Sequence, residues 1–264
     1  MNKTHKDQAM KYIAALAVLV CLGSPASAQF TSHKLSEAKP GALRVFATEA
    51  VASELDSVLK EAEAATGKTV TVEYGSARGD LRDKILAGQN FEVAVLLPDV
   101  NAELLKRGKV RPGGFPVARV PAAIGLRGDG RGVDVSTPAG LKAALLKARS
   151  VKYFPTGAVL DSIHKIFTSL NVTGKIRDTS KLTTPVKLGP GEYEICIYPI
   201  TEVLTLKELK NLGPVIPQFQ IPAVVEASIG KHANDARAAR ALIAFMQGPQ
   251  MIKALKKSGM EAAK

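Results

Sequence analysis

Cysteine is nearly absent from this sequence. Of 264 residues, 2 are cysteines; Cys21 sits in an apolar stretch near the start, which leaves Cys196 without an internal disulfide partner. A chain of this length can bury its core by packing alone. Long apolar runs are missing too. The stretch at 12–22 is too short to span a bilayer as a stable anchor. With Lys3, Lys6 and Lys11 before it and Ala26-Ser27-Ala28 after it, it reads as a cleavable signal peptide over 1–28, cut before Gln29. Val18-Leu19-Val20 is bulkier than a lipoprotein site at Cys21 would want. Removing the leader takes three lysines and one aspartate and lowers the net charge from +12 to +10.

That charge favours anionic partners in general. Lys and Arg are spread along the whole chain with no aromatic-rich basic motif to stack bases, so nucleic acid is not an expected partner. Metal clusters are lacking: Asp161 and His164 share a helical face, but two ligands make no site. Gly67-Lys68-Thr69 has Ala62 where a phosphate loop needs its first glycine, and it leads into a strand. Gly128-Asp129-Gly130-Arg131-Gly132 lacks the third spaced glycine of a dinucleotide loop. Ser76 lacks the Gly-x-Ser-x-Gly elbow of a hydrolase. No metal, cofactor or catalytic residue is therefore expected. There is no internal repeat and no low-complexity segment.

What is present is strand–helix alternation. Leu43, Val45 and Ala47 mark a strand, and Val51, Leu55, Val58, Leu59 and Ala62 a helical stripe closed by Gly67 as C-cap. A strand at 69–74, a helix at 81–87 and an apolar strand at 91–97 follow, so a parallel sheet covered on both faces is expected. After a short helix at 101–106, residues 117–126 read as one long strand. The middle of the chain repeats the architecture: a helix opens at Pro138 behind Ser136 or Thr137, then come a strand at 151–154, a helix at 160–170 and a strand at 194–198. An extended stretch at 218–229 and helices at 235–247 and 249–257 finish it. Residues 29–40 are polar and read as a loose arm.

Three strand-to-helix turns carry small or hydroxyl residues: Thr48-Glu49-Ala50, Gly75-Ser76-Ala77-Arg78 and Pro155-Thr156-Gly157. In an open α/β sheet ligands bind outside the carboxyl ends of the strands. Unpaired N–H groups at such turns hold small anions. Gly75 would let the backbone approach closely, Ser76 would add a donor, and Arg78 would add a cation if it points inward; the plainer reading pairs Arg78 with Asp80 or Asp83.

The segments "LRVFATEAVASEL", "YGSARGDLRDKILAGQNFEVAVLLP" and "ARAARALIAFMQGPQMIKALKKSGM" resemble the periplasmic molybdate-binding proteins, substrate-binding components of ABC importers. The resemblance implies an α/β type II periplasmic binding fold: two Rossmann-like lobes on a two-segment hinge, with lobe 1 at 41–115 and 222–264 and lobe 2 at 116–221. The crossings would lie near 112–121 and 212–222. It implies a monomer in the periplasm, a small anion (molybdate-like oxyanion or organic carboxylate) and an ABC permease as partner. Residue by residue, it implies an oxyanion donor at Ser76, a backbone donor at Thr156, a further one at Val186, and the family tyrosine at Tyr198. Ala50 stands where the family has a serine, so Thr48 would have to substitute. Glu49 and Arg78 depart from the family's neutral site. An inward Glu49 would repel a dianion, whereas an arginine fork suits a carboxylate. A sensor or scavenger of the same fold is the alternative reading, and a secreted hydrolase the third.

Overall fold

The computed structural model describes residues 34–263; the expected leader and residues 29–33 of the expected arm lie outside them. The first strands form as the periodicity predicts: β1 (Leu43–Thr48), β2 (Val70–Gly75) and β3 (Val93–Leu96), separated by helices α1 (Ala52–Ser57), α2 (Leu59–Thr66) and α3 (Arg82–Leu86). Gly67 caps α2 with φ 65°, a left-handed conformation that glycine adopts without strain. β1 pairs in parallel with both β2 and β3. All four residues of β3 are buried, as a strand covered on both faces requires. Within the expected arm, Leu35 is buried and its N–H donates to Glu73 Oε2 at 2.8 Å, so the chain is already pinned to the first lobe there.

Next come α4 (Pro98–Lys106), β4 (Phe115–Val120), β5 (Ala122–Gly128), α5 (Pro138–Lys147), β6 (Ser150–Lys152), α6 (Leu160–Ser169), β7 (Tyr193–Pro199), α7 (Ile200–Thr205) and β8 (Lys210–Pro214). β9 (Ala223–Ile229), α8 (Ala236–Met246), α9 (Pro249–Lys257) and β10 (Glu261–Ala262) complete the chain. Thr137 is the cap of α5, its hydroxyl accepting from Gly140 N–H at 3.0 Å. Two sheets result, ordered β10-β4-β9-β3-β1-β2 and β6-β7-β5-β8. In the first sheet β1, β2 and β3 run parallel while β9 runs antiparallel to both β3 and β4; in the second, β6 pairs in parallel with β7 and β5 runs antiparallel to β7 and β8.

The single strand expected at 117–126 is two. β4 belongs to the first sheet and β5 to the second, and Pro121 between them has no N–H to continue a ladder. The first crossing therefore falls at Pro121, and 116–120 stay with the first lobe's sheet. The second crossing runs from β8 to β9. Gln220 ties the two together: its Oε1 accepts from Ala122 N–H at 2.8 Å and its Nε2 donates to Ala122 O at 2.9 Å. The helix α7 had no signal in the sequence. Ile-Thr-Glu-Val-Leu-Thr is β-branched, yet it coils after Pro199 and packs between the sheets, Thr201 Oγ1 lying 3.3 Å from both carboxylate oxygens of Glu54.

Candidate functional site

The three turns singled out in the sequence meet where the lobes face each other. Thr48 ends β1 and accepts a long bond from Ala50 N–H, 3.5 Å, at the head of a 3-10 turn spanning Glu49–Val51. Opposite, Ser76 Oγ donates to Thr156 Oγ1 across the cleft at 2.9 Å. These contacts enclose a cavity of about 250 Å³, lined on one side by Thr48, Glu49, Ala50, Gly75, Ser76, Ala77 and Asp80 and on the other by Phe154, Thr156, Gly157, Ala158 and Glu202. A larger, more open concavity of about 770 Å³ includes Val133, Leu212 and Pro222. None of the turns reaches it, and Asp134, Ser136 and Gln220 are the polar residues of its lining.

The Gly-Ser turn differs from the sequence reading in what it holds. Ser76 N–H donates to the chain's own Asp80 Oδ1 at 2.8 Å. A Cβ on residue 75 would lie 2.6 Å from Asp80 Oδ2, so the glycine makes room for this carboxylate. Asp80 is neutralised by Lys84, whose Nζ lies 3.0 Å from Oδ2 and also 2.8 Å from Glu73 Oε1. The following turn, Ala77–Leu81, is wide and kinked at Gly79 (φ −113°, ψ −119°), and Leu81 N–H reaches back five residues to Ser76 O.

Arg78 pairs with neither Glu49, Asp80 nor Asp83. Its Nε donates to Asp99 Oδ2 at 2.7 Å and its Nη1 to Gly157 O at 3.0 Å, which makes it a tie between the lobes. Tyr198 is buried behind the cavity and stacks on Phe154 with ring centroids 4.7 Å apart. Val186 lies at the edge of the second lobe, where its carbonyl accepts from Arg127 Nη2 at 2.7 Å. Thus Thr48, Glu49, Ala50, Ser76, Ala77, Thr156 and Gly157 converge on the cavity, and Arg78, Val186 and Tyr198 do not line it.

Two acidic residues went unforeseen. Asp80 could have been read from its place four residues after Ser76, the spacing that returns a side chain to its own turn. Glu202 had no signal, since α7 had none. Glu202 is 6% exposed, and among the described residues no protein group hydrogen-bonds its carboxyl. Burial, with the nearby Glu49 charge adding to it, pushes that carboxyl up to about 8. Burial and then Asp80 raise Glu49 as well. The cavity thus presents hydroxyls, backbone and carboxyls, with the nearby cations of Arg78 and Lys84 engaged elsewhere.

A family model described as a bacterial extracellular solute-binding protein matches residues 43–261. Comparison with curated proteins gives no match. Among solved structures, the periplasmic molybdate-binding protein of Azotobacter vinelandii is 17% identical, covers 84% of this chain and 100% of its own, and superposes with a TM-score of 0.63. The sulfate-binding protein SubI of Mycobacterium tuberculosis is 15% identical over 84% of this chain and 87% of its own, with a TM-score of 0.63. Peb3 from Campylobacter jejuni is 12% identical over 84% and 100%, at 0.60. At these identities the likeness is one of fold.

Proposed function

The chain belongs to the bacterial extracellular solute-binding proteins, and from that premise we propose that it captures a small anion between its lobes and delivers it to an ABC importer. The observation that carries this reading is the Ser76–Thr156 hydrogen bond across the cleft. It joins one strand-to-helix turn of each lobe around a cavity sized for a ligand of a few heavy atoms. Thr48, Ser76, Ala77, Thr156 and Gly157 are the proposed ligand residues, with Arg78 closing the lobes over them. The two crossings at Pro121 and 215–222 form the hinge. The proposal includes a monomer exported to the periplasm by the leader at 1–28. That the neighbours are named for molybdate and sulfate supports an anion. Ser76 bonds a threonine instead of a general base, which favours binding over hydrolysis.

The test is thermal unfolding of the mature protein against molybdate, tungstate, sulfate, phosphate, small carboxylates and amines such as putrescine. A ligand at a hundredfold excess over its dissociation constant stabilises by about 2.7 kcal/mol. Ser76→Ala should weaken the active anion about tenfold by calorimetry while the apo protein melts as before. A response to amines alone would overturn the anion reading. One observation favours that rival, the carboxyls of Glu49, Asp80 and Glu202 around the cavity.

A further inference from the structure

The hydroxyls of the cavity and the carbon around them call for different parts of one ligand. Ser76 Oγ donates to Thr156 Oγ1 at 2.9 Å, so the Thr156 hydroxyl keeps its own proton to give to a ligand oxygen. Thr48 Oγ1 accepts from Ala50 N–H and keeps its proton in the same way. Much of the remaining wall is carbon, Ala50 and Ala77 on one side and Phe154 and Ala158 on the other. Phe154 is fixed in place: its carbonyl accepts from Gly157 N–H at 2.9 Å, and its ring stacks on the buried Tyr198. At about 30 Å³ per water-sized atom, a cavity of about 250 Å³ holds about eight atoms. A tetrahedral oxyanion fills little more than half of that space and leaves the apolar wall without a partner. Charge points the same way. Glu49, Asp80 and Glu202 line the cavity, while Arg78 is engaged by Asp99 and Gly157 O, and Lys84 by Glu73 and Asp80. Repulsion grows with the charge of the ligand, whereas carbon buried against Phe154 binds without any counter-charge.

Resting on the anion reading above, we propose that the ligand is a small aliphatic monocarboxylate, its two oxygens accepting from the Thr48 and Thr156 hydroxyls and its hydrocarbon part lying against Phe154 and Ala158 on one side and Ala50 and Ala77 on the other. Ser76 acts through Thr156, whose hydroxyl it orients toward the ligand. Phe154 sets the specificity, because its ring makes buried carbon, and not the charge of the head group, the main source of affinity. The carboxylate takes about three of the eight places, which leaves room for a chain of about four further carbons, the length of pentanoate.

The experiment is calorimetry of the mature protein with the straight-chain series acetate, propanoate, butanoate, pentanoate and octanoate, and with sulfate, molybdate and putrescine. Affinity is expected to rise about fourfold per methylene up to pentanoate, to fall at octanoate, and at its best to exceed that for sulfate and molybdate. The heat-capacity change of binding should grow more negative along the rising part of the series. Ala158→Leu fills the carbon-lined part of the cavity; in a variant that melts like the parent, pentanoate should weaken about tenfold, the worth of roughly two buried methylenes, while acetate holds level. If that variant fails to fold, the series in the unmodified protein decides alone. Carboxylates that do not bind, affinity that ignores chain length, or pentanoate binding unchanged in a folded Ala158→Leu overturns the monocarboxylate proposal, and sulfate or molybdate binding in that case leaves anion capture standing. Binding of putrescine alone, or of nothing in the panel, overturns both.

Discussion

Glu202→Gln should make the unliganded protein more stable, and by an amount that depends on pH. In the fold the carboxyl sits at about 8, against an ordinary 4.5. Between those values the folded chain holds a proton that the unfolded chain has released. Stability therefore falls as pH rises through that window, by up to about 1.4 kcal/mol per pH unit. The loss begins near pH 4.5, reaches about 3 kcal/mol at pH 7 and levels off near 5 kcal/mol above pH 8. Glutamine has the same shape and no charge to bury, so the variant lacks this slope. For a chain of this size about 3 kcal/mol corresponds to roughly 6–12 °C in melting temperature. Circular-dichroism melts of both proteins at pH 5, 6, 7 and 8 should show a gap that widens with pH. Parallel profiles would refute the reasoning, because they would mean that Glu202 titrates alike in the folded and unfolded chains.

Two further outcomes follow from the hinge and the Gly-Ser turn. Gln220→Ala removes the amide that accepts from Ala122 N–H and donates to Ala122 O, a carbonyl that Val215 N–H also reaches. It should cost about 2–3 kcal/mol in urea unfolding, and a loss below 0.5 kcal/mol would mean that water replaces the amide. Gly75→Ala places a methyl where the Asp80 carboxylate lies, expelling it from Ser76 N–H. The substitution should destabilise by about 1–2 kcal/mol and cost less in an Asp80→Ala background; strict additivity of the two changes would show that the carboxylate is not what Gly75 makes room for.

The parts of this fold legible from sequence were those with strong local periodicity. The stripe Val51, Leu55, Val58 and Ala62 and the unbroken apolar β3 announced themselves, and Gly67 closed its helix as a glycine C-cap does. The boundary at Pro121 was hidden because Val117 to Leu126 is apolar on both sides of the proline; what separates β4 from β5 is which sheet each joins, a matter of distant partners. The same holds for α7, whose β-branched residues favour a strand and are overruled by packing between the lobes. Within the site, Thr48, Ser76 and Thr156 were found because turns after strands are local features. Where Arg78 points was not, since Asp99 and Gly157 lie in other turns of the chain.

Those assignments change how the site handles charge. Arg78 spends its fork on Asp99 and on the opposite lobe, so it favours closure of the lobes without lending a cation to the cavity. Asp80 is paired with Lys84 and accepts from the Ser76 N–H. Among the described residues lining the cavity, the carboxyls of Glu49 and Glu202 have no such partner, and the Glu49 charge raises the cost of ionising Glu202. A neutral donor set of hydroxyls and backbone N–H groups would accept a tetrahedral oxyanion of the right size; the carboxyls of Glu49 and Glu202 that line the same cavity make charge the property that separates an anionic ligand from a cationic one.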